Sequence, residues 1–138
     1  MIGLAFARAA EALVGAPFRL HGRDPVTGID CIGVIACALD RIGRTAVLPA
    51  GYSLRTGNWP ELDRDAARLG FLPTLAPLAA GDIWVTKPSP IQLHFGIVCP
   101  SGQGLIEAHA GLRRVVVSPL PDPRPGMTCW RLQELMEA

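Results

Sequence analysis

Two side-chain types in this chain can do nucleophilic or proton-transfer chemistry at neutral pH, cysteine and histidine, and one cysteine has a distinctive setting. Cys31 stands in Asp30-Cys31-Ile32-Gly33, where Asp30 can serve as a helix N-cap and Ile32, Ile35, Ala36 and Leu39 follow at helical spacing. The cysteine therefore falls in the first turn of a helix, where unpaired backbone N–H groups and the helix dipole favour negative charge. A thiolate is the nucleophilic form of cysteine, and helix N-termini lower thiol pKa values. The same N–H groups can donate to the oxyanion of a tetrahedral intermediate. Gly33, just inside the helix, costs about 1 kcal/mol relative to alanine, which predicts a close approach to the backbone there by a substrate or a strand. Cys37, Cys99 and Cys129 have no such setting and read as packing residues.

The chain has 3 histidines. His94 lies in Leu93-His94-Phe95-Gly96-Ile97-Val98, a strand in which Leu93, Phe95 and Ile97 face one way and His94, Gly96 and Val98 the other. Glu107 and His109 occupy alternate positions of the next strand and share a face. If the two strands pair about Gly102, His94, Glu107 and His109 lie on one sheet face. A helix carrying Cys31 and packed on that face brings the thiol to His94, which gives a nucleophile, a base and an orienting third group. Two registers satisfy this pattern. A loop of Pro100 to Gln103 sets Glu107 opposite Gly96, and a loop of Ser101 to Gly104 sets His109 there. His21, in the turn-rich loop before Cys31, either lines the same cleft or stands in solvent.

The elements that must hold these residues divide the chain into two halves. The first is helical: about Leu4 to Val14, then about Cys31 to Ile42 with Gly43 as its stop. Between them, Phe18 to Ile29 is rich in turn formers. Arg44 to Gly57 reads as irregular connection. Asn58, Pro60 and Glu61 open a further helix with Leu62, Ala66 and Leu69 on one face, up to Gly70. Phe71 to Ala80 is apolar and punctuated by proline. The second half holds short strand-like runs at Asp82 to Thr86, Leu93 to Cys99, Leu105 to Ala110, Arg113 to Ser118 and Cys129 to Leu132. Helices followed by an antiparallel meander predict one α+β domain over residues 1–138, with helices packed on a five- to six-stranded sheet.

Composition narrows the function classes. Of 138 residues, 49% are hydrophobic and 18% charged, enough apolar material for a packed core and against disorder. Thirteen basic and 12 acidic side chains leave a net charge of +1, with no Lys/Arg run of the kind a nucleic-acid binder carries. Four cysteines without a Cys-x-x-Cys pair predict neither a disulfide scaffold nor a zinc site, and no metal or other cofactor is expected. No stretch reaches the ~20 apolar residues of a membrane span, and Met1 to Val14 lacks a basic leader region. The expectation is a protein that is cytoplasmic as synthesised, with free thiols.

At the level of motifs the sequence resembles a known family. Gly15-Ala16-Pro17-Phe18-Arg19-Leu20-His21-Gly22 followed by Asp30-Cys31-Ile32-Gly33 is similar to the opening of the NlpC-type cell-wall cysteine peptidases, Gly-x-Pro-Tyr, a Gly-rich turn, then Asp-Cys-Ser-Gly. Ala80-Gly81-Asp82-Ile83-Trp84-Val85 resembles their Pro-Gly-Asp-Leu strand, and His94-Phe95-Gly96-Ile97-Val98 their His-Val-Gly-Ile-Tyr strand. Leu105-Ile106-Glu107-Ala108 resembles the following Phe-Ile-His-Ala strand. The four fragments occur in family order from about residue 5 to 132.

The resemblance implies a papain-like fold, Cys31 as nucleophile and His94 as general base. It puts Glu107 where the family usually has histidine, with His109 as the rival for the third position. Phe18 replaces the family tyrosine and Ile32 the serine after the cysteine. The implied substrate is the peptidoglycan stem peptide, cut between D-glutamate (through its γ-carboxyl) and the diamino acid. Phe18, His21 and Arg23 are the implied substrate-binding neighbours, and Arg19, Arg23, Arg113 and Arg114 are candidates for gripping substrate carboxylates. The compact form resembles versions carried by phage tails and gene-transfer-agent particles, which implies tail proteins as partners and a particle-associated location. The other readings are a structural tail adaptor without catalysis, or a papain-like amidase or acyltransferase acting on another substrate.

Overall fold

The computed structural model describes residues 1–44, 48, 59–75, 77–86, 93–122 and 127–134. Helix α1 (Ile2–Glu11) is followed by a small hairpin, β1 (Arg23–Asp24) and β2 (Gly28–Ile29), and by α2 (Cys31–Arg41) and α3 (Leu62–Arg68). Then come β3 (Phe71–Thr74), β4 (Ile83–Thr86), β5 (His94–Val98), β6 (Gly104–His109), β7 (Arg114–Pro119) and β8 (Thr128–Leu132). These last six form one antiparallel sheet in the order β3-β8-β4-β5-β6-β7. The architecture is the α+β arrangement expected, with six strands. Arg44 apart, the connection read as irregular lies almost wholly outside the described residues, as does Asn58 of the α3 start signal.

The helices form where the apolar spacing puts them. Phe6 and Ala10 of α1 are buried, and α2 buries Ile32, Val34, Ile35, Ala38 and Leu39 against the sheet and α1. Gly43 and Gly70 follow α2 and α3 with φ of 81° and 96°, the left-handed conformation that ends a helix with least strain in glycine.

Two elements were not visible in the sequence pattern. The hairpin β1–β2 has only two residues per strand, too short to show an alternation. Strand β3 was masked by Pro73, which sits opposite Trp130 at the sheet edge. Among the described residues β8 is its one strand neighbour there, so a missing N–H need not cost a ladder bond.

The face that carries the helices differs from the one expected. Cys31, Ile32, Ile35 and Leu39 share a core with Phe71, Ile83, Val85, Phe95, Ile97, Ile106, Ala108 and Trp130. Strand alternation puts His94, Gly96, Glu107 and His109 on the opposite face, together with Trp84, Val98, Leu105 and Cys129. A helix buries its apolar stripe against the larger continuous apolar surface, and the polar residues interrupt the other face. Cys31 therefore meets the His94 strand at the end of the helix rather than from across the His94 face.

Gly33 has a structural reason. A Cβ at this position would stand 2.3 Å from the Gly22 carbonyl oxygen and 2.8 Å from the Ile29 Cβ. Of the two approaches expected from sequence, the neighbour is the protein's own loop and β2. Gly33→Ala is expected to destabilise the fold by about 2 kcal/mol, although alanine is the better helix former by about 1 kcal/mol. Chemical denaturation checks this, and a gain in stability would show that the loop yields freely.

Candidate active site

Asp30 is the N-cap of α2 and is fully buried. Its Oδ1 accepts the Gly33 N–H at 2.8 Å and Arg23 Nη1 at 3.1 Å, and its Oδ2 accepts the His21 N–H at 2.9 Å. The first contact satisfies one of the unpaired N–H groups at the helix start. The other two tie the preceding turn, in which His21 adopts φ 60°, to the same carboxylate. Arg23 also donates to the Gly22 carbonyl at 3.0 Å. Of the three expected neighbours, His21 and Arg23 thus belong to the Asp30 clamp. Phe18 packs half-buried against the core, and its backbone pairs with Ile29, two residues before Cys31.

The sheet supplies the second half of the site. Strands β5 and β6 pair at Val98↔Leu105 and Ile97↔Ile106, and the Cys99 N–H bonds the Gly104 carbonyl at 2.9 Å. This is the register with a Pro100 to Gln103 loop, and continued along the strands it sets Glu107 opposite Gly96. Donor direction alternates along β5: Val98 N–H turns to the Asp82 carbonyl on the β4 side, whereas Cys99 N–H turns to β6. Phe95 N–H thus faces β6, two residues past Ile97, where the pairing with β6 ends. There it lies near the Cys31 sulfur instead, as do the N–H groups of Ile32 and Cys31 itself, which lower the thiol's pKa. The thiol sits where the two strands part, beside the residue that follows His94.

His94 Nε2 and Glu107 Oε2 lie 3.6 Å apart across this seam, both partly buried. The His94 contact holds the Glu107 carboxyl below its ordinary range against the opposing effect of burial. His109 is engaged elsewhere through Nδ1, which accepts the Leu112 N–H at 3.0 Å in the turn after β6. Of the two residues considered for the third position, Glu107 is therefore the one at the His94 ring. A carboxylate at Nε2 favours the tautomer protonated there, which leaves Nδ1 as the basic nitrogen.

The thiol's own equilibrium runs opposite to the expectation from helix position. Burial, and next the charge of Asp30, push the Cys31 pKa up to about 12, against the three N–H groups. The helix terminus does not outweigh the removal of the sulfur from water, with 4% of the residue exposed. Stability should follow. The unfolded thiol loses its proton near pH ~8.5–9 and the folded one only near 12, so the folded form is favoured fully below pH 8 and progressively less above it. At pH 10 the loss through this group is about 1.4 kcal/mol. Denaturant titrations at pH 7 and 10 should give Cys31→Ser a smaller alkaline loss than the wild type, and equal losses would contradict the burial account.

Sequence reasoning passed over two participants. The Asp30 charge beside the thiol was legible only as a cap, and the Phe95 N–H depends on where a strand pair ends, which no residue type announces. The remaining thiols are dispersed. Cys37 Sγ lies 3.2 Å from the Arg23 carbonyl, Cys99 Sγ lies 3.1 Å from Ser101 Oγ, and Cys129 is buried behind the sheet. Among the described residues, no group of three or more His, Cys, Asp or Glu side chains is placed to hold a metal ion, and no helix is long and apolar enough to cross a membrane.

The arrangement of helices on an antiparallel sheet is similar in fold to the papain-like α+β architecture of solved NlpC/p60 domains. The NlpC/p60 domain of the peptidoglycan hydrolase SagA superimposes with a TM-score of 0.58 over 85% of this chain and 88% of that one, at 23% identity. NlpC1 from Trichomonas vaginalis gives a TM-score of 0.66 over 95% of this chain at 18% identity, and the chain spans 44% of that protein. No protein-family profile and no curated protein sequence matches the chain.

Proposed function

We propose that this protein is a cysteine peptidase that hydrolyses amide bonds in peptidoglycan stem peptides. Cys31 is the nucleophile, His94 the general base and acid, and Glu107 the residue that orients the imidazole. The reading is supported by the position of the Cys31 sulfur at the start of α2 beside Phe95, the residue after His94, and by the 3.6 Å contact of His94 Nε2 with Glu107 Oε2. A buried thiol with a pKa near 12 is protonated at rest, so its deprotonation belongs to the attack itself. His94 Nδ1 takes the thiol proton as the sulfur bonds to the scissile carbonyl carbon. Backbone N–H groups at the start of α2 receive the oxyanion. His94 then gives its proton to the departing amine as the C–N bond breaks, leaving a thioester. Water, deprotonated by His94, adds to that thioester and releases the acid and the thiol.

The likeness to a domain of a peptidoglycan hydrolase and the ordered motifs support the wall as substrate. They also support the γ-D-glutamyl to diamino acid amide as the bond. Delivery on a phage tail or gene-transfer-agent particle is the proposed setting, and it rests on the resemblance of the compact chain to such versions. The depth of the thiol favours one second reading, a tail component that keeps the fold without turnover. Purified protein incubated with defined muropeptides and followed by mass spectrometry separates them. The peptidase reading expects new amine ends at the diamino acid. Intact muropeptides with turnover of a simpler amide would mean an amidase, and no turnover of either would leave the adaptor.

A further inference from the structure

The sheet continues the His94 row toward a cation. Thr86 pairs with His94, and His109 pairs with Arg114, which in turn bridges Pro17 of the incoming chain. The β5–β6 register, carried on from Ile97↔Ile106, puts His94 and His109 at the same level. Residues directly opposite in antiparallel strands share a face, so the row His94, His109, Arg114 runs across the face that bears Glu107. Arg114 lies on β7, beyond β6 from His94.

Arg114 is exposed, as are Arg113 beside it and Arg19, whose N–H bonds the Ile29 carbonyl next to the start of α2. Among the described residues none of these three arginines has an acidic partner. The acids that lie near are engaged: Glu107 faces His94, Asp30 holds Arg23, and Asp24 accepts the Val26 N–H. His109 adds a donor. Its Nδ1 accepts from Leu112, so the neutral ring carries its proton on Nε2. A guanidinium with a neighbouring imidazole N–H, on the reactive face and without a protein counter-ion, has the chemistry of a carboxylate subsite.

We propose that Arg114, assisted by His109, is a specificity-determining residue that selects substrates carrying a free carboxylate on the β7 side of the scissile bond. This rests on the Cys31–His94 reading of the site and adds to it a direction, toward β7, in which the anionic part of the substrate lies. Arg113 and Arg19 contribute field at the rim rather than a fixed contact.

The test uses two synthetic stem peptides that differ only in a free carboxylate or a carboxamide at that residue. The wild type is expected to prefer the carboxylate in kcat/KM by about 10- to 100-fold. Arg114→Gln should collapse that ratio to within about twofold of one, and Arg114→Lys should restore part of it. A ratio unchanged by Arg114→Gln overturns the proposal, leaving ordinary solvated arginines. A parallel titration of the carboxylate peptide into Cys31→Ala protein reads binding without turnover. Affinity that falls about tenfold or more on adding Arg114→Gln supports the subsite even if the wild type hydrolyses neither peptide, and affinity indifferent to Arg114 counts against it.

Discussion

Cys31→Ala is expected to lower kcat on stem peptides by about 10⁴-fold or more while leaving the fold within about 1–2 kcal/mol of the wild type. The size follows from the kind of group removed. Without a sulfur no thioester can form, and what survives is the background given by bound substrate and backbone N–H groups. The small stability cost follows from the position. Cys31 is buried in the core near Ile32 and Phe95, so alanine deletes one sulfur's worth of packing and also removes the alkaline penalty. Turnover is checked by counting new amine ends and the fold by denaturation. Activity in the alanine variant within tenfold of the wild type would remove the nucleophile from the account.

His94→Ala should lower kcat by about 10³-fold or more, with little change in KM. A thiol near pKa 12 cannot supply thiolate at neutral pH without help, since only about 10⁻⁵ of it is ionised at pH 7. The variant should therefore gain rate steeply with pH, about tenfold per unit between 7 and 10, as hydroxide replaces the missing base. The wild type should show no such slope. Glu107→Gln belongs to the same prediction with a smaller effect, about 10- to 100-fold, because glutamine can still receive the Nε2 proton but cannot balance the imidazolium charge. A His94→Ala profile parallel to the wild type would mean that the thiol is deprotonated by another group.

Much of this arrangement is written in the sequence because it depends on local rules. Asp30 before an apolar stripe announces a helix start, and Gly43 and Gly70 announce helix ends. The alternation around Leu93 to Val98 announces a strand with His94 on its less apolar side. The choices that remained open depend on tertiary context. A shift of two residues keeps every face, so the register between β5 and β6 was decided only by the Pro100 to Gln103 loop in three dimensions. The side on which the helices pack followed from the size of the whole apolar surface, to which Ile83, Val85 and Trp130 from other strands contribute. The thiol's raised pKa followed from burial, which helix position alone could not foretell. Proline in β3 concealed a strand that is tolerated only because it lies at the edge.

The central claim is that Cys31 carries the acyl group during hydrolysis, and trapping that intermediate tests it most directly. Wild-type protein mixed with stem peptide, quenched in acid within the first turnover and digested, should yield the Cys31 peptide heavier by the acyl fragment. The increment should vanish with Cys31→Ala and persist longer in His94→Ala at pH 10 supplied with an activated thioester substrate, whose leaving thiolate needs no proton from His94. Release of product with the acyl group found on Cys37 or on no residue, and at the same rate in Cys31→Ala, would contradict the account.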